Sequence, residues 1–180
     1  MPRLQIKKSI VLLFFLVSGS GFLIWAQNQD NAGIPSATNY APNFWFDSEE
    51  KYYPTNPLDF YYDERSDEIS GKEAVKKYDD LSFEEKLDNF KVFYKISEQG
   101  DEIIYQYWLF YVFNPGDINE HYGDWESIYV FVDKNTKQIS KAVGSFHSGG
   151  VLNNEVTGSE LKGAKHIWDY VGRGSHANCP

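Results

Sequence analysis

Alternation of apolar and polar positions is clearest from Ile103 to Phe113. Ile103, Tyr105, Tyr107, Leu109 and Tyr111 fall on one face, and Ile104, Gln106, Trp108, Phe110 and Val112 on the other. A period of two predicts a strand, and two largely apolar faces predict a central one, covered on both sides. Val92 to Ile96 reads as the strand before it, across a turn at Glu98–Asp101. Ser127 to Val132 reads as the strand after it, with a turn at Asp133–Lys137 and a return arm from Gln138 to Phe146. Tyr40 to Asp47 opens the domain as an aromatic strand, and Lys165 to Val171 closes it. Leu58 to Tyr62 is a further short aromatic run after a proline-set segment, and Val151 to Gly163 reads as a polar loop.

Residues 63–90 break the pattern. Asp63 to Lys77 is charged and poor in large apolar side chains. Ser82 with Glu85 three positions on forms a capping-box signature, and Phe83, Leu87 and Phe90 then share one helical face. This predicts a surface insertion with one or two short helices.

The N-terminus changes the picture of where the chain works. Arg3, Lys7 and Lys8 precede an apolar run from Ile10 to Val17, a Ser18–Gly21 interruption, and Phe22 to Ala26. Residues 1–26 read as an export signal, cleaved after Gly19 or Ala26, or as an uncleaved anchor slightly short of the ~20 residues that a spanning helix needs. Either way the remainder is expected outside the cytoplasm, with residues 27–39 a flexible lead-in and 40–180 a single domain.

Composition narrows the class. The chain's 180 residues are enough for one core, and its 13 Tyr, 13 Phe and 5 Trp favour pleated surfaces. A formal net charge of −9 and no basic patch argue against nucleic acid. The same charge disfavours anionic lipid unless a metal bridges. The single cysteine, Cys179, rules out an intrachain disulfide.

Candidate chemistry centres on Glu120-His121-Tyr122-Gly123-Asp124-Trp125-Glu126, with Phe146-His147-Ser148-Gly149-Gly150 and Gly172-Arg173-Gly174-Ser175-His176-Ala177 as expected spatial partners. An extended backbone directs Asp124 and Glu126 to one face and Trp125 to the other, so the tryptophan is expected to anchor the core while the carboxylates share a site. Two ionised carboxylates need a cation, a proton or an arginine between them. Mg²⁺ or Ca²⁺ suits the oxygens, and a histidine shifts the choice towards Zn²⁺, Mn²⁺ or Fe²⁺. Arg173 is the alternative without a metal, and bonds to turn amides are another. The candidate ligands are His121, Asp124, Glu126, His147 and His176, with Arg173, Ser175 and Trp125 in binding or support. Ser148 and Ser175 neighbour histidines, but neither lies in a Gly-x-Ser-x-Gly elbow.

These motifs resemble the family related to vacuolar protein sorting-associated protein 62. The likeness runs through Tyr40-Ala41-Pro42, Glu50-Lys51-Tyr52-Tyr53-Pro54, Tyr107-Trp108-Leu109-Phe110-Tyr111, His121-x-Gly123-Asp124-Trp125-Glu126, His147-Ser148-Gly149-Gly150 and Arg173-Gly174-Ser175-His176-Ala177. It implies a mainly β fold, an antiparallel β-sandwich with a short helical insertion, and no settled activity. In that family more chain usually follows the Arg-Gly-Ser-His-Ala segment. Here Pro180 ends it, which implies a short form or a truncated product with an open edge beside Lys165–Val171. More distantly, His121, Asp124, Trp125 and Glu126 are similar to the Gly-His-Arg-His-Asp-Trp-Glu hallmark of the necrosis- and ethylene-inducing peptide-like secreted proteins. That resemblance implies a divalent cation and a membrane glycolipid, although Gly123 replaces the second histidine. Three functions follow as expectations: an exported module with a divalent-cation (Ca²⁺, Mg²⁺, Mn²⁺ or Zn²⁺) or polar-ligand site, a metal-dependent hydrolase, or a membrane- or glycan-binding cytolysin-like protein.

Overall fold

The structure, a computed structural model, describes residues 34–63, 65, 67–116, 119–145, 152–157, 161 and 163–180, with backbone alone for 4–5, 14–16, 23–25 and 152–155. The early strands are β1 (Leu4–Gln5), β2 (Phe14–Leu16), β3 (Leu23–Trp25) and β4 (Asn43–Phe46). Three helices follow, α1 (Pro57–Tyr61), α2 (Gly71–Asp79) and α3 (Phe83–Asp88). Then come β5 (Phe93–Gln99), β6 (Glu102–Asn114), β7 (His121–Asp133), β8 (Ile139–Ser145), β9 (Leu152–Thr157), β10 (Trp168–Val171) and β11 (Asn178–Cys179).

The fold is mainly β. One sheet has five strands in the order β5-β6-β7-β8-β9, each antiparallel to the next. The second has the order β1-β4-β10-β11 and is mixed, because β10 runs parallel to β4. The two sheets pack face to face as a sandwich, and the helices form the short insertion. β9 lies where a polar loop is expected. Its antiparallel pairing with β8 supplies the order that its polar side chains do not signal. β10 pairs with β4 on one side and, through Tyr170 and Val171, with β11 on the other.

β6 is covered on both faces, as its pattern predicts. Tyr105, Tyr107, Leu109 and Tyr111 enter the core between the sheets with Phe44, Phe46, Val130 and Ile128. Phe110 and Val112 enter a second cluster with Phe60, Ala74 and Tyr78 beneath the helices. Truncating a fully buried residue such as Leu109 to alanine would cost about 2–5 kcal/mol. The helices form where caps allow. Ser70 and Glu73 close a capping box on α2, and Ser82 and Glu85 close one on α3. Residues 58–61 are helical and only Tyr62 is extended: Asn56 caps α1 and Pro57 occupies its first turn, where a missing N–H costs nothing.

Residues 34–39, expected in the lead-in, belong to the packed domain. The buried Tyr105 and Tyr107 hydroxyls donate to the carbonyls of Pro35 at 2.8 Å and Ala37 at 2.6 Å. Satisfying those hydroxyls ties the segment to the core. Among the described residues no helix is long and apolar enough to cross a membrane.

Gly123 shapes the start of β7. Its φ is +69°, and a Cβ there would lie 3.3 Å from the Tyr61 hydroxyl oxygen. Gly100 has φ +57° in a turn, and a Cβ there would meet nothing within 4 Å. Both Gly→Ala variants should lose about 1–2 kcal/mol from the left-handed backbone. Gly123→Ala is expected to lose more in urea unfolding, since it also crowds Tyr61. Equal losses would show that the close approach carries no energy.

Candidate functional site

The expected alternation at Asp124-Trp125-Glu126 is present, but its inside and outside are reversed. Asp124 and Glu126 are 6% and 7% exposed and lie in the interior of the sandwich. Trp125 is 42% exposed on the outer face of the large sheet, beside Phe93 and Phe110. The pairing Tyr111↔Asp124 explains this. Tyr111 faces the core, and a residue directly opposite it on an antiparallel neighbour faces the same way. The carboxylates therefore take the buried face that the sequence reading gives to the tryptophan.

His176 is the centre of this interior group. It is fully buried, and its ring lies flat on Tyr111 with centroids 3.7 Å apart. Nδ1 is 2.9 Å from Asp124 Oδ2, and Nε2 is 3.8 Å from Glu50 Oε1. A tight loop holds it there: the His176 amide donates to the Gly172 carbonyl at 2.8 Å, and the Gly172 amide to the Ala177 carbonyl at 2.9 Å. The loop leaves His176 at φ +55°, a left-handed conformation uncommon outside glycine.

Glu50 accepts the amides of Lys51 and Tyr52 on Oε1 and that of Gly174 on Oε2, each at 2.8 Å. Asn114 Nδ2 donates to Asp124 Oδ2 at 3.0 Å, and it lies 3.5 Å from the Ser175 carbonyl. His121 Nε2 reaches Asp124 Oδ1 at 3.4 Å, while its Nδ1 is 2.7 Å from the Asn119 carbonyl. Strict alternation would put His121 and Asp124 on opposite faces, and the left-handed turn at Gly123 between them allows the contact. Glu126 accepts a hydrogen bond from the Ser145 hydroxyl, which also receives the Ser127 amide at 2.8 Å. Asn178 on β11 donates to the Ser127 carbonyl at 3.2 Å, so this polar layer joins the two sheets.

Burial and partners set the charges. Burial pushes His176 down, but its hydrogen bond to Asp124 and the nearby Glu50 carboxylate outweigh that and hold it above its ordinary value. Burial pushes Glu50 up, yet the nearby His176 imidazole and the bonds from the Gly174 and Tyr52 amides hold it below the usual carboxylate range. Glu126 is pushed up to about 7, first by burial, with the Ser145 hydroxyl opposing and the Asp124 charge adding. Asp169 is pushed up to about 8 by burial, which the Cys179 amide offsets only in part. Among the described residues, neither Asp169 oxygen has a well-formed hydrogen bond, nor does the Tyr111 hydroxyl.

The structure thus joins His121, Asp124 and His176 directly, with Glu126 within electrostatic reach of all three. His147 lies outside the described residues. Arg173 does not bridge Asp124 and Glu126; it pairs with Glu49 at the surface, because its loop turns outward there. Ser175 enters the group through its carbonyl. Among the described residues no three His, Cys, Asp or Glu side chains are placed to hold a metal ion. Asp124 Oδ2 is committed to Asn114 and His176, and Glu126 to Ser145. The described residues do not complete a cation site. Glu50 and Asp169 extend the group beyond the expected set. Asp169 was within reach of the pattern, because it shares a strand face with Val171, a core residue.

A cleft of about 800 Å³ opens beside this network. Glu49, Tyr52, Phe113, Pro115, Arg173 and Gly174 line it, and the buried Glu50 contributes to its wall.

No family model matches the chain, and no curated protein matches it. Solved structures do. NLPPya in complex with glucosamine aligns with a TM-score of 0.51 at 13% identity, covering 79% of this chain and 63% of its own. NLPPya in complex with mannosamine aligns with the same score and coverage at 12% identity. A structure described as "Toxin fold for microbial attack and plant defense" aligns with a TM-score of 0.50 at 13% identity, over 74% of this chain and 59% of its own. The chain spans less than two thirds of the length of these proteins. At such identities the likeness establishes the fold, and it is the fold of the necrosis- and ethylene-inducing peptide-like proteins. Nothing in the comparisons supports the vacuolar protein sorting 62-related resemblance.

The charge states fix the sign of the pH response. Asp169 and Glu126 bind protons more tightly folded than unfolded, so their contribution falls as pH rises from about 4 to about 8. The stabilisation from His176 is complete below its ordinary value of 6.5 and is lost as pH rises through its higher folded value. Glu50 acts oppositely, and its stabilisation is lost as pH falls below the carboxylate range. The urea midpoint should therefore be higher at about pH 5 than at about pH 8, with a shallower slope in Asp169→Asn. A midpoint that rises across that interval would contradict these assignments.

Proposed function

We propose that this chain is a secreted, cytolysin-like protein that recognises a glycan in the cleft between the loop after β4 and the loop after β10. The observation that carries the reading is the composition of that cleft. Tyr52 and Phe113 form an aromatic pair with centroids 5.5 Å apart, and the rim holds the exposed Glu49–Arg173 ion pair. Aromatic faces suit the apolar face of a sugar ring, and a charged rim suits its hydroxyl and amino groups. A volume of about 800 Å³ accommodates a ligand of one or two rings. The fold likeness supports the same class, since NLPPya has been solved with glucosamine and with mannosamine. An amino sugar is a cation, and its charge suits a chain of net charge −9.

The cytolysin-like part rests on the outer surfaces. Trp168 and Tyr170 are 43% and 48% exposed and flank Trp45 on the small sheet, with ring centroids 5.7 Å and 6.1 Å away. Exposed Trp and Tyr favour the boundary between apolar and aqueous phases. The hydrolase reading requires a carboxylate base that substrate can reach. Asp124 and Glu126 are buried and committed to other partners, so the binding reading takes precedence.

Glucosamine titrated into the mature protein should give saturable NMR shifts at Glu49, Tyr52 and Phe113. Phe113→Leu should weaken binding several-fold, equivalent to roughly 1 kcal/mol. Vesicles of neutral phospholipid doped with a glycosphingolipid should leak, and undoped vesicles should not. No shift in the cleft and no leakage at any dose would overturn the proposal.

A further inference from the structure

β4 and β10 run parallel, so their starts lie together at one end and their finishes at the other. The glycan cleft is at the finishing end, after Phe46 and Val171. At the starting end is a second cavity, of about 510 Å³, between the segment before β4 and the segment before β10. We infer that this second cavity binds a small tetrahedral oxyanion, phosphate or sulfate, either free or as an ester on a sugar.

The first observation is charge. The chain has 26 acidic and 17 basic residues, yet the cavity is lined by Lys137, Lys165 and His166, with no Asp or Glu among its described lining residues. Neither lysine has an ion-pair partner among the described residues. Asp133, the nearby carboxylate whose charge interacts with Lys137, already accepts the Asn135 amide at 2.9 Å and the Thr136 amide at 2.7 Å through Oδ1. Two ammonium groups beside one cavity, neither in an ion pair among the described residues, favour an anion between them.

The second observation is fixation. Lys137 has φ +57°, an uncommon conformation for a lysine. Its amide donates to the Asp133 carbonyl at 2.9 Å, and its own carbonyl accepts the Tyr40 hydroxyl at 3.2 Å. Tyr40 also lines the cavity, so the turn that presents Lys137 is tied to the opposite wall. His166 is tethered through Nδ1, 2.9 Å from the Ala41 carbonyl. Thr38 and Asn39 add a hydroxyl and an amide to the lining. Cations beside neutral hydrogen-bonding groups suit a compact polyvalent anion, and lysine serves such a ligand as a point charge. The volume exceeds what phosphate alone fills and leaves room for one sugar ring.

This site shares no lining residue with the glycan cleft, so the two stand or fall separately. The test is an NMR titration of the full chain with sodium phosphate, sodium sulfate, glucose 6-phosphate and glucose, at constant ionic strength set by sodium chloride. Saturable shifts at Lys137, Gln138 and Lys165 are expected with the three anions and not with glucose. Tighter binding of glucose 6-phosphate than of phosphate would identify the ester as the ligand, and equal binding the free ion. Lys137→Asn combined with Lys165→Gln should weaken phosphate binding by roughly tenfold or more, asparagine being tolerant of the left-handed conformation. Lys165→Gln alone, at an exposed position, should act in the same direction, and Lys134→Gln, whose lysine pairs with Glu98, should not. The inference fails if no anion saturates below about 50 mM, if the double variant binds phosphate as tightly as the native chain, or if glucose binds as well as its phosphate.

Discussion

His176 lies between Asp124 and Glu50 with no surface exposed to water, and its ring is stacked on Tyr111. An imidazole in such a place loses its hydration and recovers that cost only through its partners. Those partners come from different parts of the chain. Asp124 belongs to β7 of the large sheet, Glu50 to the loop after β4, and His176 to the loop between β10 and β11. Removing the imidazole would leave two carboxylates facing a dry interior, a larger loss than one hydrogen bond. The contact therefore does more than fill space, because it sets how the two sheets meet at this end of the sandwich.

The cleft depends on the same contact. Glu50 uses one oxygen for the amides of Lys51 and Tyr52 and the other for the amide of Gly174. Tyr52 and Gly174 are themselves walls of the cleft. A buried ionic network thus positions the aromatic wall of the cleft. The carboxylates that attract attention in the sequence hold the fold together, while Tyr52, Phe113 and the Glu49–Arg173 pair line the cleft. The reach of Glu126 and Asp169 into the neutral pH range follows from how deeply this network is buried.

Much of this was legible in the sequence because period and composition respond to burial. β6 showed two apolar faces, and it is covered by the small sheet on one side and by the helices on the other. Ser82 and Glu85 marked α3 through a purely local hydrogen-bond pattern. The convergence of His121, Asp124 and His176 was also legible from their glycine-marked strand ends. What escaped was direction. Alternation separates Trp125 from its acidic neighbours but does not say which face is inside, and the usual hydrophobic rule gives the wrong answer here. β9 escaped because a strand whose order comes from a neighbour's backbone carries little side-chain signal. Glu50 escaped as a site residue because its partners are amides, which any sequence supplies.

The charge on His176 tests the account most directly. Side-chain NMR of the isotopically labelled protein can follow its imidazole through a pH titration. The ring is expected to titrate above its ordinary value of 6.5, with an Nδ1 proton that exchanges slowly because it is held by Asp124. A midpoint at or below 6.5, or an Nδ1 proton in fast exchange with water, would contradict a buried imidazolium as the link between the sheets.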